Sequence, residues 1–413
     1  MKQKQILGLG IAAVVLMGLA VYLSDARKPA VEAPLAGPLA PGLEARINDI
    51  SEVRVQVAGG EVITLKREDS AWVVVEKQGF RADVVKLREL LLNIAQARRI
   101  EPKTALESSY PVLGVEDVDK EGASNVLISI VGAEAPLAVI LGQNNSRGAG
   151  TFVRLQGDRQ SWLVDRNLAA EKTASGWLLR DLIDIAPNRI TAVEVQPSEG
   201  GAVQIEANSE GDGEFRVANL PAGREAASAF VSDATAGFLS GLRLDDVRSA
   251  ETYTPAEDAQ RTSARFRTRE GILIAVEADT ANGDTWARFS VSLDEAAARE
   301  RIQGEQAREA MAHEQAVKLA QEAVADGSGA TADAVAEGEG STASASTEAA
   351  ATVLPEPPLA VTDPSADFAE RMQALQAETE SLTRATEGWL FQIPSFKADN
   401  LRRAMDAYLK PRG

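Results

Sequence analysis

A single histidine, His313, stands in the chain, and cysteine is absent. That composition excludes histidine-rich metal sites, thiolate zinc sites, iron–sulfur clusters, disulfides and thiol nucleophiles. A serine–histidine–aspartate triad would have to use His313, which lies in the charged helical stretch Met311-Ala-His-Glu-Gln and reads as an exposed helix position. Carboxylates come in close pairs at Asp117/Asp119, Asp181/Asp184 and Asp245/Asp246. A glycosidase-type hydrolase needs two acids facing across a cleft, one with a raised pKa, and proximity in sequence does not supply that. These acids read as solvated edges. Asp279-Thr-Ala-Asn-Gly-Asp284 has the composition of a calcium loop, but the sixth and twelfth places hold Asp284 and Ser290 where an EF-hand needs glycine and glutamate. A hairpin turn is predicted there. The segment Gly142–Gly150 is polar and glycine-rich, suited either to wrapping a small ligand or to joining two strands. No Gly-Lys-Ser/Thr follows a glycine-rich turn, so no ATP hydrolysis is expected. No residue is put forward as catalytic, cofactor-binding or metal-binding, and the chain is read as not an enzyme.

Positioning such residues takes elements, and 413 residues suffice for two or three domains. Acidic residues outnumber basic ones 61 to 43, a balance that argues against nucleic acid as a partner. Residues Ile6–Leu23 carry no charge and follow Lys2 and Lys4. Eighteen helical residues span roughly 27 Å, close to a bilayer's hydrocarbon thickness. The run is longer than a signal-peptide core, and bulky Val21-Tyr22-Leu23 makes a poor cleavage site, so an uncleaved anchor is favoured over a cleaved signal. The expected topology is single-pass, with everything from about residue 25 outside the cytoplasm. Residues 26–45, with Pro29, Pro34, Pro38 and Pro41, read as an extended tether.

Beyond the tether the chain repeats itself. Ile50-Ser-Glu-Val-Arg-Val-Gln56 returns as Ile190-Thr-Ala-Val-Glu-Val-Gln196, an offset of 140. Ile63 and Leu65 match Val203 and Ile205, and Trp72 matches Phe215. A helix at 82–97 aligns with 229–244 at an offset of 147. Val53-x-Val55-x-Val57 alternates as a strand with one buried face does. Asn125–Val131 and Leu137–Leu141 read as a hairpin. Thr151–Leu155 matches Thr285–Phe289, and Ser161-Trp-Leu-Val164 matches Gly388-Trp-Leu-Phe391. Aromatics at equivalent places suggest core anchors. Between the last two strands of the second copy lies an insertion at about 294–387, with helices at 295–325 and 367–385 and a disordered stretch at 326–366. It holds 18 acids and 6 bases between Glu295 and Glu387 and could serve as an interaction device or be a tolerated loop-tip insertion. The fold class is α+β: two tandem related modules at 46–186 and 187–413, each a mainly antiparallel sheet with a packed helix, after an anchor at 1–25.

Several segments together resemble a bacterial envelope family, domain of unknown function 4340. They are the N-terminal anchor, the strand pair before Trp72, Gly79–Leu91, Tyr110-Pro-Val-Leu-Gly114, Leu141-Gly-Gln ahead of Thr151–Leu155, and Ser161–Asp165. The order of these segments carries the resemblance, over about residues 1–290 with the tail 389–410. It implies an accessory envelope protein, often encoded beside an ABC-2-type transporter. The expectation is therefore a scaffold in the bacterial inner membrane, its C-terminal domains in the periplasm, that touches membrane lipid through its anchor and ABC-type transporter subunits through its modules. A carboxylate-based envelope hydrolase, or a module binding a small ligand at Gly142–Gly150, is the alternative.

Overall fold

The computed structural model describes residues 37–132, 136–208, 213–327 and 356–411. The apolar run Ile6–Leu23 lies outside them, and among the described residues no helix is long and apolar enough to cross a membrane. The architecture is α+β, with antiparallel sheets, and the chain divides into two units between Leu179 and Arg180.

In the first unit, β1 (Glu52–Val57) buries Val53 and Val55 and leaves Arg54 in solvent. It pairs with β2 (Val62–Glu68) in a register that sets Val53 opposite Leu65 and Val55 opposite Ile63. The period of two thus puts one apolar row on one face. β3 (Ala71–Val74) and β4 (Phe80–Arg81) extend this meander outward. Asp83 then caps helix α1 (Val84–Gln96), its carboxylate accepting from the Lys86 N–H at 3.0 Å. α1 buries Leu87, Leu90, Leu91 and Ile94. The chain passes along β5 (Arg99–Pro102) and through an excursion at 103–125 that holds the short helix α2 (Tyr110–Leu113). It comes back as β6 (Val126–Val131), which lies beside β1. β7 (Leu137–Asn144), β8 (Thr151–Leu155) and β9 (Ser161–Val164) follow, and the sheet reads β4-β3-β2-β1-β6-β7-β8-β9-β5.

The second unit opens with β10 (Asp181–Ile183), then β11 (Ile190–Gln196), β12 (Val203–Ala207) and β13 (Phe215–Val217). Helix α3 (Ala229–Ala236) is capped by Ser228 and tightens into a 3-10 turn at Gly237–Leu239. β14 (Leu242–Arg243) pairs with β10, and β15 (Asp246–Ser249) takes the sheet edge. β16 (Gln260–Thr268), β17 (Ile272–Ala281), β18 (Asp284–Leu293) and β19 (Trp389–Ile393) complete a sheet of order β13-β12-β11-β16-β17-β18-β19-β15, the order of the first without its edge strand β4. Each unit also closes alike. The carbonyl of Trp177 accepts from Asp83 N–H, and that of Tyr408 from Ala227 N–H, both at 2.8 Å.

Four expectations need correction. The latter half of the tether is part of the fold: Leu39 and Leu43 are buried, and Gly37 and Leu39 hydrogen-bond with Arg99 and Ala97, as β10 does with β14. By the same logic the second unit begins at Arg180, not 187, because β10 belongs to it. The helices correspond at an offset of 145, not 147, since the caps Asp83 and Ser228 align and the buried set Leu87/Leu90/Leu91/Ile94 matches Ser232/Thr235/Ala236/Leu239. Small polar side chains at those positions hide the apolar stripe from sequence. Finally, part of the expected disordered stretch is helical: α4 (Glu295–Gly327) is followed, within the insertion, by α5 (Leu359–Thr362), with α6 (Pro364–Thr386) starting before 367. Helix α7 (Ser395–Arg402) comes after β19.

Tyr408 is a fully buried anchor of the second unit, its hydroxyl 2.8 Å from Thr235 Oγ1. Burial raises its pKa above the ordinary 10.0. A phenol with a raised folded pKa contributes stability that is present below pH 10.0 and lost as pH climbs past it. Tyr408→Phe should therefore lose less stability between about pH 9 and 10.5 than the unaltered chain, read as the shift in urea midpoint across that window.

Candidate functional site

Four of the six carboxylates singled out by sequence, those of Asp117, Asp181, Asp184 and Asp246, make contacts within the fold. Asp117 pairs with Arg154, whose Nε donates to Val115 O at 2.8 Å and whose guanidinium lies 4.7 Å from the centre of the Tyr110 ring. Arg154 is 4% exposed, and its charge is met by two carbonyls and by the half-exposed carboxylate of Asp117. Asp181 pairs with Arg243 at 3.0 Å, and Asp184 accepts from the Gly241 N–H at 2.7 Å. Asp245 and Asp246 fall at the start of the edge strand β15, where Asp246 accepts from Val247 N–H. The Asp279–Asp284 segment is a two-residue hairpin turn: Asn282 and Gly283 have φ of 54° and 90° between the paired residues Ala281 and Asp284. His313 sits half-buried on α4. Among the described residues no group of three or more acids or histidines is placed to hold a metal.

Gly142–Gly150 has a structural duty at both ends. A Cβ on Gly142 would lie 2.4 Å from the Leu113 carbonyl oxygen, and one on Gly150 would lie 2.1 Å from that of Val164. The glycines are what let two backbones touch. Directly after Gly150, Thr151 Oγ1 donates to Asn144 at 2.7 Å and accepts from Leu168 N–H at 2.8 Å. The segment Tyr110–Gly114 therefore rests on Leu141-Gly142-Gln143, so two motifs far apart in sequence meet. The excursion seats Tyr110, Val115 and Val118 on Leu127 and Ile140, covering part of the sheet face opposite α1.

In the second unit the corresponding connection is only residues 250–259, and the seat is polar. The register that places Ile128 and Ala264 at equivalent rungs puts Ser263 and Glu277 where the first unit has Leu127 and Ile140. Asp279 takes the place of Gly142, and Tyr253 reaches it. The Tyr253 phenol is pushed up, first by burial and then by the charge of Asp279. Beside it, the Arg248 guanidinium stacks 4.0 Å from the centre of the Trp286 ring. The open face below forms a concavity of about 560 Å³, crossed by the ion pair Arg265–Glu194 at 3.7 Å.

The insertion is an ordered arm where it is described. α4 and α6 bury Ala298, Ile302 and Met372 between them, with Phe368 and Leu375 alongside. Arg371 reaches Glu309 and Asp367, each at 2.9 Å, and Glu305 at 3.3 Å. At the base, Arg189 holds Glu378 through two bonds of 2.7 and 3.1 Å and Glu270 through a third of 3.2 Å. Its pKa is raised, foremost by the bond to Glu378. α6 packs along β18 and β10, so the arm is fastened to the second sheet. No sequence signal announced Arg189, because its partner lies 189 residues away.

A family model described as "Domain of unknown function (DUF4340)" matches residues 72–262. Those residues belong to that family. The DUF4340 match starts at Trp72 on β3 and ends on β16, so it takes in α1, the excursion, Gly142 and the opening strands of the second unit. It stops short of the arm. No curated protein and no solved structure matches the chain.

Two outcomes follow from these contacts. Gly142→Ala should cost about 1–3 kcal/mol by forcing the excursion off the sheet, read as a lowered melting temperature. Ile302→Ala should weaken the arm by about 2–4 kcal/mol. Hydrogen exchange would then speed up across α4 and α6 while β16 and β17 keep their protection.

Proposed function

We propose that this chain is a membrane-anchored, periplasm-facing accessory or scaffold protein that works by binding, as an auxiliary subunit of an ABC-type transporter complex. In this reading two copies of one building block follow a single N-terminal anchoring helix, the uncharged run Ile6–Leu23. The observation that carries the binding role is the arm, a pre-ordered helical pair bolted to the second sheet by Arg189 and offering helix surface to solvent. Pre-ordering lowers the entropy lost when a partner docks. Support also comes from how the polar chemistry is spent. The acids Asp117, Asp181, Asp184 and Asp279 each have an intramolecular partner, at Arg154, Arg243, the Gly241 N–H and Arg261. The likeness in motif order to DUF4340 proteins supplies the envelope setting.

Affinity purification of the tagged full chain from bacterial membranes in mild detergent is the test. Permease and ATPase subunits of one ABC-type transporter should co-elute in fixed ratio with it. Elution of the chain alone, or hydrolysis of a glycan or peptide by the purified protein, would overturn the reading.

A further inference from the structure

In the first unit a groove of about 320 Å³ runs between the 3-10 turn Glu44–Asp49, the β2–β3 hairpin and α1. That is the lower end of the ~300–1,000 Å³ range of small-molecule sites. Its floor is apolar: Ile47, Ile50, Trp72, Leu87 and Leu91. Arg67 and Arg88 line it as well, together with Asn48 and Ser70, and no carboxylate does. In a chain with formal charge −18 this is an unusual lining; the grooves at Asp117/Asp119, at Glu199/Asp399 and at Glu194/Glu206 all include acids. Among the described residues neither Arg67 nor Arg88 pairs with a carboxylate, and Arg67 spends one Nη1–H on the Asn48 carbonyl at 2.8 Å.

The second unit shows what a filled version looks like. The helix correspondence puts Asp233 at the place of Arg88, and the strand registers put Phe215 at that of Trp72. Asp233 reaches down to accept from Phe215 N–H at 2.9 Å, and Phe215 is 1% exposed. There the helix is stitched to the strand. In the first unit the same position carries a cation that stays in solvent, and Trp72 stays half-open.

We propose that this groove binds a single acyl chain of medium length with an anionic head. The chain lies along Ile47, Trp72 and Val84, the apolar lining that is open, where its methylenes leave water. The head sits between Arg67 and Arg88, each free to donate to an oxyanion. This site is independent of the transporter reading: either can fail without the other.

The test uses the full chain in amphipol and a ten-carbon fatty acid bearing a terminal diazirine, photolysed and mapped by mass spectrometry. Adducts should fall on Trp72 and on the 84–96 helix. They should drop at least fivefold in the Arg67→Ala/Arg88→Ala double variant, whose exposed substitutions leave the melting temperature in place. The ten-carbon alcohol with the same diazirine should label the site at least fivefold more weakly than the acid. Val84→Trp, at an exposed position of the lining, fills the groove and should abolish the adducts. Labelling that is equal for acid and alcohol, or undiminished in the double variant, or confined to residues 6–23, would overturn the proposal.

Discussion

Each unit depends on its first strand accepting a second neighbour from far along the chain. β1 already has β2 on one side through a tight hairpin; β6 must reach its other side from about seventy residues later, and β16 does the same for β11. Closing such a loop costs entropy before any contact repays it. The repayment is the shared row Val53–Ile130 and Val55–Ile128 in one unit, and Val193–Phe266 and Val195–Ala264 in the other, all buried. The helix has to cross the inner face during that excursion, because only there can its apolar stripe be covered while the chain travels to the far edge. The strand order, the helix position and the edge strands β5 and β15 all follow from that one pairing.

Within the shared frame the two units spend volume differently. Leu87, Leu90 and Leu91 on α1 give way to Ser232, Thr235 and Ala236 on α3. Phe266 stands where the first unit has Ile130, and stacks on Phe238 at 5.7 Å between ring centres. Bulk lost from the helix is regained from the sheet, as a closely packed interior requires. The outer faces trade polarity in the same way. Where an excursion covers the sheet, the rungs hold Leu127 and Ile140; where water covers it, they hold Ser263 and Glu277. A residue exchange that looks arbitrary in an alignment is the chemistry of what lies on top.

Much of this was legible in the residues. The alternation around Val53 and Val193, the hairpin at Asn282-Gly283 and the helix stripe of α1 all carry strong local periods, and the antiparallel α+β class follows from them. What misled was similarity of short words. Trp162-Leu and Trp389-Leu look equivalent, yet the ladders set Trp162 opposite Val153 and Phe391 opposite Ala287, so Trp162 corresponds to Phe391, two places on. Sheet register is decided by which faces are buried, and a matching dipeptide does not encode that. The tether misled for a related reason: its prolines suggest extension, and Gly37–Leu39 is indeed extended, but as a strand-like partner of Ala97–Arg99 with Leu39 buried. The seat of the excursion on Gly142 and the hold of Arg189 on Glu378 were beyond reach, because both are contacts between segments with no local pattern in common.

The arm shows why a long insertion could enter where it did. It leaves from the end of β18 and returns at the start of β19, two strands that pair only through Thr285, Trp286 and Ala287. β18 runs on past that pairing to Leu293, laddered to β17 on one side and with no β19 partner on the other. α6 lies along β18, and the hydrophobic contacts of Leu293 with the Ala298–Ile302–Met372 cluster join sheet to arm without a break. An arm built this way cannot swing freely from its loop tip, since moving it would expose that cluster and strip Glu378 from Arg189, leaving a half-buried guanidinium short of its strongest partner. Arg189 directly precedes β11, so the arm is fastened beside the strand on which that unit's pairing depends.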